Sequence, residues 1–200
     1  MLSRPPTAPL QTATGDNSPL QFWAVIEAAF SPIECTQLID VLKQLEAGDG
    51  ALVAGQFDQS VRQSTLAWLP ERDDLAWVDE RMARLIAQAN REHFNFALEG
   101  FEEQLQLAAY GPGHYYDWHI DRGKGSTAAR RKLTVSVQLT KPEGYTGGTL
   151  EINADGHPFQ APRHQGTAVI FAATTLHRVV PVISGLRHSL VAWTHGPAFV

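Results

Sequence analysis

The sequence predicts a mainly β protein: a squashed barrel of two antiparallel sheets, with helices supporting it from the N-terminal side. Three observations predict this. From Gln104 onward, short apolar runs alternate with Gly, Pro and Asp turns, the pattern of a jelly roll. Before that point, two stretches carry apolar residues at helical rather than alternating spacing. A chain of 200 residues that is 44% hydrophobic can bury one sizeable core, so a single domain over residues 21–200 is expected.

The elements follow in order. Residues 1–20 are rich in Pro, Ser and Thr, show no sustained apolar pattern, and read as a flexible tail without a signal-peptide layout. Phe22-Trp23-Ala24-Val25-Ile26 reads as a strand. Ser31-Pro32-Ile33-Glu34 opens a helix: Ser31 at the N-cap, Pro32 at the first helical position, and Glu34 closing a capping box. Ile33, Leu38, Ile39, Leu42 and Leu45 give its apolar stripe, and Gly48 ends it. A second helix is expected over residues 75–93, with Trp77, Val78, Met82, Leu85, Ile86 and Ala89 on one face. Between the helices lie a loop ending near Val61 and a strand over residues 62–68. Residues 21–103 are thus the helical support, and residues 104–196 the barrel.

Within the barrel, Leu133-Thr134-Val135-Ser136-Val137-Gln138-Leu139, residues 148–152 and residues 166–171 read as strands, and Asn153-Ala154-Asp155-Gly156 as a hairpin turn. Tyr115-Tyr116-Asp117-Trp118-His119-Ile120-Asp121 is aromatic and β-branched, a strand running into a turn at Gly123. On a regular strand His119 and Asp121 share a face, whereas Ile120 and Tyr116 point the other way. Residues 176–182 form another strand bearing His177, and Arg187, ten residues on, opens the last one with Ser189 on its own face.

Two imidazoles and one carboxylate leave three coordination positions open, the donor set suited to non-haem Fe(II). A lone H-x-D is common, and most apolar-flanked histidines are core residues. The order decides: a strand with H-x-D, a glycine-rich hairpin, a strand His, then Arg187 beside Ser189. Arg187 supplies a fixed cation for an acidic cosubstrate. His114, His164, His188 and His195 lack this spacing and read as non-ligands, and Arg178 should face away from the site toward a surface carboxylate. Two rivals remain. A zinc hydrolase would show H-E-x-x-H or H-x-x-x-H, and neither occurs. A non-catalytic cupin-like metal-binding protein would leave Arg187 and Ser189 without a purpose.

At these residues the chain resembles a family. Residues 104–195 are similar to the catalytic domain of Fe(II)- and 2-oxoglutarate-dependent dioxygenases, in the prolyl 4-hydroxylase-like branch that includes the PKHD-type hydroxylases. Tyr110-Gly111-Pro112-Gly113-His114-Tyr115-Tyr116-Asp117-Trp118-His119-Ile120-Asp121 resembles that branch's Y-x-x-G-x-x-Y-x-x-H-x-D pattern. Tyr145-Thr146-Gly147-Gly148-Thr149-Leu150 resembles its Y-x-G-G-x-L hairpin, and Leu176-His177 through Arg187 its L-H-x-V-x-P-V-x-x-G-x-R ending. The resemblance implies a double-stranded β-helix of jelly-roll, cupin-like form. It implies Fe(II) on His119, Asp121 and His177, and 2-oxoglutarate on Arg187 with Ser189 and Tyr110, Arg187 belonging to the catalytic set. It implies hydroxylation of an aliphatic C–H with conversion of 2-oxoglutarate and O2 to succinate and CO2, and ascorbate as a candidate reductant. Asp121 separates the chain from the halogenases of the superfamily, which carry a small residue there. A prolyl residue of a protein or peptide is the leading substrate, and a free amino acid or small metabolite the alternative. The region between the helices corresponds to a mobile finger loop over the site mouth, or equally to an ordinary surface hairpin.

Composition narrows the rest. Cys35 is the single cysteine, so no intramolecular disulfide can form; a packed apolar role and a cytoplasmic location are expected. A formal net charge of −5 argues against a nucleic-acid partner, and no apolar run is long enough for a membrane span. Arg122, Lys124, Arg130, Arg131 and Lys132 cluster after the H-x-D motif, either as a solvated loop or as a lure for an acidic substrate.

Overall fold

Alternation of side chains along the central strands builds the molecule around one sheet with two different faces. The computed structural model describes residues 22–47 and 61–198. The tail expected over residues 1–20, and nearly all of the expected finger loop, lie outside the described residues. In chain order come β1 (Trp23–Ile26), α1 (Pro32–Ala47), β2 (Arg62–Gln63), β3 (Thr65–Trp68), α2 (Ala76–Ala89), β4 (Gln106–Tyr110) and β5 (Tyr115–His119). There follow β6 (Arg131–Gln138), β7 (Tyr145–Gly147), β8 (Leu150–Asn153), β9 (Phe159–Gln160) and β10 (Ala168–Ala172). The last three are β11 (Leu176–Val179), β12 (Val182–Gly185) and β13 (Arg187–His195). A six-stranded sheet in the order β1-β10-β6-β13-β4-β3 faces a five-stranded sheet in the order β2-β5-β11-β8-β9, and β12 pairs with β7 as a separate ribbon. The pairings are antiparallel. This is the expected double-stranded β-helix.

Strand β6 shows how sequence becomes architecture. Leu133, Val135 and Val137 are fully buried in the cluster that also holds Leu38, Leu42, Met82 and Ile86 of the helices. The intervening Thr134, Ser136 and Gln138 are buried too, on the face turned to the second sheet. Leu190 and Ala192 of β13, Leu107 and Ala109 of β4, and Ala168 and Ile170 of β10 continue the apolar outer face. A second, smaller cluster, with Leu66, Leu150, Ile152, Val169, Phe171 and Val179, fills part of the space between the sheets. The rest of that space is polar, and the site lies there.

The helices seal the outer face as expected, with one difference. The capping box forms: Ser31 N–H donates to Glu34 Oε2 at 2.7 Å, and Glu34 N–H to Ser31 Oγ at 3.3 Å. The same carboxylate accepts from Arg81 at 3.0 Å, tying α1 to α2. The buried stripe of α1 is Cys35, Leu38, Val41 and Leu42, whereas Ile33 is 81% exposed. Ile33 precedes Cys35 by two positions, about 200° around the helix, so the two cannot share a face. Helix α2 buries Val78, Met82, Leu85, Ile86 and Ala89, and continues as a π-helical turn, Asn90–Phe94, closed by Asn95 at φ 55. Cys35 is fully buried, and burial pushes its thiol up to about 11. Among the described residues no helix is long and apolar enough to cross a membrane.

Gly166 locks the helical layer to the sheet. Its N–H donates to Gln138 O at 2.7 Å, and its own carbonyl accepts from Phe30 N–H at 3.1 Å. With φ +81, a Cβ there would lie 1.9 Å from Phe30 O. Gly166→Ala should therefore destabilise the protein by at least about 1–3 kcal/mol, the cost of the backbone conformation alone. Equilibrium urea unfolding measures this, and an unchanged midpoint would refute the tight junction.

Candidate active site

The cavity between the sheets is lined by side chains from both. On one sheet, β5 and β11 set His177 directly opposite His119 as cross-strand partners. Their imidazoles therefore converge, with ring centroids 4.1 Å apart. Asp121 lies two residues beyond the end of β5 and is 7% exposed. Its Oδ1 is 3.6 Å from His119 Nε2 and its Oδ2 3.4 Å from His177 Nε2. One donor atom from each of the three lies within 4.8 Å of the other two, close enough to share one metal ion.

The backbone prepares both histidines for that use. His119 Nδ1 lies 2.7 Å from Asp117 O, and His177 Nδ1 3.0 Å from Thr175 O. A carbonyl only accepts, so each Nδ1 carries a hydrogen, and Nε2 is the ring nitrogen left to face Asp121. Burial resists a charge on Asp121, yet His177 and His119 outweigh it and hold the carboxyl well below the usual range. Burial pulls His119 below the ordinary imidazole value. At His177 burial likewise resists a charge, but Asp121 outweighs it and lifts that imidazole above its ordinary value. A divalent cation would take the place of that proton, since it binds imidazole and carboxylate in their deprotonated forms.

Farther along the cavity lies Arg187, 3% exposed. Burial lowers its pKa, and Tyr110 and Tyr145 oppose that effect. Among the described residues its Nε and Nη1 have no hydrogen-bond partner, and no carboxylate pairs with it. A buried guanidinium in that state is suited to an incoming carboxylate, which it can bind through two N–H groups. Gly148 makes room for it: at φ +61, a Cβ would come within 3.1 Å of Arg187 Cδ and 2.8 Å of Val182. The donor set and the buried guanidinium fit a divalent metal together with a dicarboxylic cosubstrate.

The residues singled out in the sequence come together. His119, Asp121, His177, Arg187, Ser189 and Tyr110 all line this one cavity. Tyr110 is the cross-strand partner of Arg187, whose guanidinium lies 5.4 Å from the tyrosine ring. Tyr116 departs from expectation. Its ring stacks on His119 at 3.4 Å instead of facing away. The cause is a register shift in the β5–β11 pairing: His119 opposes His177 but Tyr116 opposes Val179, so three residues on one strand match two on the other. Asp121 likewise is placed beyond the strand rather than by its alternation.

Other lining residues carry no motif. Arg62 stacks over Tyr116 at 4.5 Å and donates to Gln106 Oε1 at 3.2 Å. Thr134 and Ser136 of β6 and Trp193 of β13 complete the wall. The hydroxyls had a signal: polar residues alternating with buried aliphatics on a central strand must face something polar. The basic cluster is largely committed elsewhere. Arg130 pairs with Glu99 and Glu102, and Arg131 with Glu103. Arg178 does face away, donating to Glu151 Oε2 at 2.8 Å, although that carboxylate is buried rather than on the surface. His195 is structural, its Nε2 3.0 Å from Glu103.

The family model of the 2OG-Fe(II) oxygenase superfamily matches residues 105–195. A PKHD-type hydroxylase of Hyphomonas neptunium is 30% identical over 177 residues, covering 84% of this chain and 76% of that protein. The fold matches a Pseudomonas putida prolyl-4-hydroxylase with a TM-score of 0.72 at 22% identity, over 88% of this chain and 94% of the other. It also matches a Trichoplax adhaerens prolyl hydroxylase, solved with a hypoxia inducible factor oxygen degradation domain peptide fragment, with a TM-score of 0.71 at 18% identity over 87% and 83% of the two chains.

The Glu103 cluster yields a pH prediction. Burial opposes its ionisation, but Arg131 and then His195 lower its pKa below the ordinary glutamate value. Its stabilising contribution is thus present above the unfolded-chain value of about 4.3 and is lost as pH falls through the lower folded value. Glu103→Gln should cost about 1–2 kcal/mol at pH 7. The gap from wild type should narrow as the pH is lowered toward about 3, as urea unfolding across pH would report. A gap independent of pH would assign the loss to packing alone.

Proposed function

The chain belongs to the 2OG-Fe(II) oxygenase superfamily, and on that premise we propose that it hydroxylates an aliphatic C–H of a prolyl residue in a protein or peptide. It is an enzyme of the Fe(II)- and 2-oxoglutarate-dependent dioxygenase class. We assign Fe(II) to His119, Asp121 and His177, and the far carboxylate of 2-oxoglutarate to Arg187. The observation that carries this assignment is the pairing, in one cavity, of three convergent ligand atoms with a buried guanidinium whose Nε and Nη1 lack partners.

Bound together, iron and cosubstrate supply the oxidising power, as 2-oxoglutarate and O2 become succinate and CO2 and one oxygen atom enters the substrate C–H. The protein's part is placement. His119 and His177 offer Nε2 lone pairs because their Nδ1 hydrogens are held by Asp117 O and Thr175 O. Arg187 fixes the cosubstrate by its distal end, and Ser189 and Tyr110 add hydroxyls on the same wall. Leu150, Phe171 and Val179 add apolar surface to the lining, which keeps water from the reacting centre. The prolyl reading is supported by the names of its relatives, a prolyl-4-hydroxylase and a prolyl hydroxylase bound to a peptide.

Anaerobic addition of 2-oxoglutarate to the Fe(II)-loaded protein should produce a weak visible charge-transfer band. His119→Ala, Asp121→Ala or His177→Ala should abolish stoichiometric Fe(II) binding. Arg187→Ala should keep iron but raise the 2-oxoglutarate requirement by roughly two orders of magnitude or more, the loss of a buried charge-assisted pair. Retained tight iron binding in the first three variants would overturn the ligand assignment, and an unchanged requirement in the fourth would move the cosubstrate site. In air, prolyl peptides should gain one oxygen atom with stoichiometric succinate. Oxidation of free amino acids in preference to peptides would replace the substrate class while leaving the reaction intact.

A further inference from the structure

Asp121 is the one member of the triad that no ladder holds. His119 and His177 sit in paired strands, but β5 ends two residues before Asp121. Its position is fixed instead from the opposite sheet, by the first residues of β6. Thr134 Oγ donates to Asp121 Oδ2 at 2.7 Å. Arg131 Nη1 donates to the Asp121 carbonyl at 3.0 Å. Asp121 N–H donates to Ala173 O at 3.0 Å, and Ala173 N–H in turn to Lys132 O at 2.9 Å.

Each of these anchors is itself held. Thr134 is 1% exposed and lies between its cross-strand partners Trp193 and Phe171. Arg131 is clasped by Glu103 through Nε at 2.7 Å and through Nη2, and its guanidinium lies 3.9 Å over the Trp193 ring. Glu103 Oε2, which accepts from Arg131 Nε, is held also by Nε2 of His195, which is fully buried.

We propose that Thr134 and Arg131 are positioning residues for the metal-ligating carboxylate: Thr134 sets the rotation of the Asp121 carboxyl group, and Arg131 sets the backbone that carries it. This rests on the triad assignment above. The chemistry is specific. A carboxylate on a single-bonded stem can rotate, and a hydroxyl bonded to one oxygen stops that rotation and orients the lone pairs of the other. A methyl group of the same size cannot.

Thr134→Val keeps shape and β-branching and removes the donor, Thr134→Ser restores the donor with less bulk, and Arg131→Lys keeps charge but loses the fork that reaches Glu103 and Asp121 together. Thr134→Ala serves if valine is not accommodated. Folding is checked by thermal melting, and Fe(II) affinity is measured anaerobically by competition with a chromophoric chelator. Thr134→Val should melt close to wild type yet bind Fe(II) about 10–100-fold more weakly, with Arg131→Lys between it and wild type. Thr134→Ser should recover affinity to within about threefold, as expected where the donor rather than the packing matters. The charge-transfer band with 2-oxoglutarate should shift in Thr134→Val and return in Thr134→Ser. Wild-type affinity and an unmoved band in a folded Thr134→Val would overturn the role of Thr134, and wild-type affinity in Arg131→Lys that of Arg131. Asp121→Ala separates the two levels: if it loses iron while the others do not, only this inference fails, and if it keeps iron, the triad assignment falls and takes this inference with it.

Discussion

The cross-strand pairing of His119 with His177, completed by a carboxylate bonded to the facing sheet, is the constraint on which the rest of the molecule depends. Pairing brings two imidazoles together at a distance set by sheet geometry, and no local sequence could do that. The third donor must then come from the gap between the sheets. Asp121 fills that gap because it hangs beyond its own strand and is hydrogen-bonded to Thr134 and Arg131 of the other layer. The separation of the sheets and the size of the triangle of candidate ligand atoms are therefore linked. The apolar cluster of Leu150, Ile152, Val169 and Phe171 acts as the spacer that fixes it.

A cavity holding a buried guanidinium whose Nε and Nη1 lack partners opposes folding, since that charge is not fully compensated. The stabilising interactions lie elsewhere. The outer face of the six-stranded sheet and the two helices share a large, wholly apolar cluster. Division of labour between the two faces of one sheet lets β6 contribute Val135 to the core and Ser136 to the cavity in adjacent positions. Demands of stability and of chemistry are met by alternate residues of the same strand, so each can change with little effect on the other.

Much of this was legible in the sequence, for identifiable reasons. Ser31 and Glu34 announced a helix start because a capping box is a local device. That His119, Asp121, His177 and Arg187 would meet in one cavity was legible because their spacing places them on neighbouring strands. What escaped reading was tertiary. Strict alternation places Tyr116 on the wrong face because a bulge arises from the partner strand, not from the residues of β5. Ile33 falls outside the stripe because the phase of α1 is set by Cys35 and Leu38, which join the core cluster shared with the sheet. Arg62 had no signal at all: it reaches the cavity from a two-residue strand, forty-four positions away in sequence from the Gln106 it contacts. Arg130 and Arg131 looked like a free basic loop because the glutamates that meet them are about thirty residues earlier in the chain.

The carbonyl contacts of the two histidines reach beyond this fold. Each imidazole is oriented by the backbone oxygen two residues before it, Asp117 for His119 and Thr175 for His177. Side-chain identity at those two positions is irrelevant to the contact, because only the peptide oxygen takes part. The correct tautomer is thus encoded in three consecutive residues of suitable backbone conformation and needs no conserved partner. Such a unit is transferable: two copies on neighbouring strands of an unrelated sheet would present two metal-ready nitrogens, leaving a designer only the carboxylate to supply.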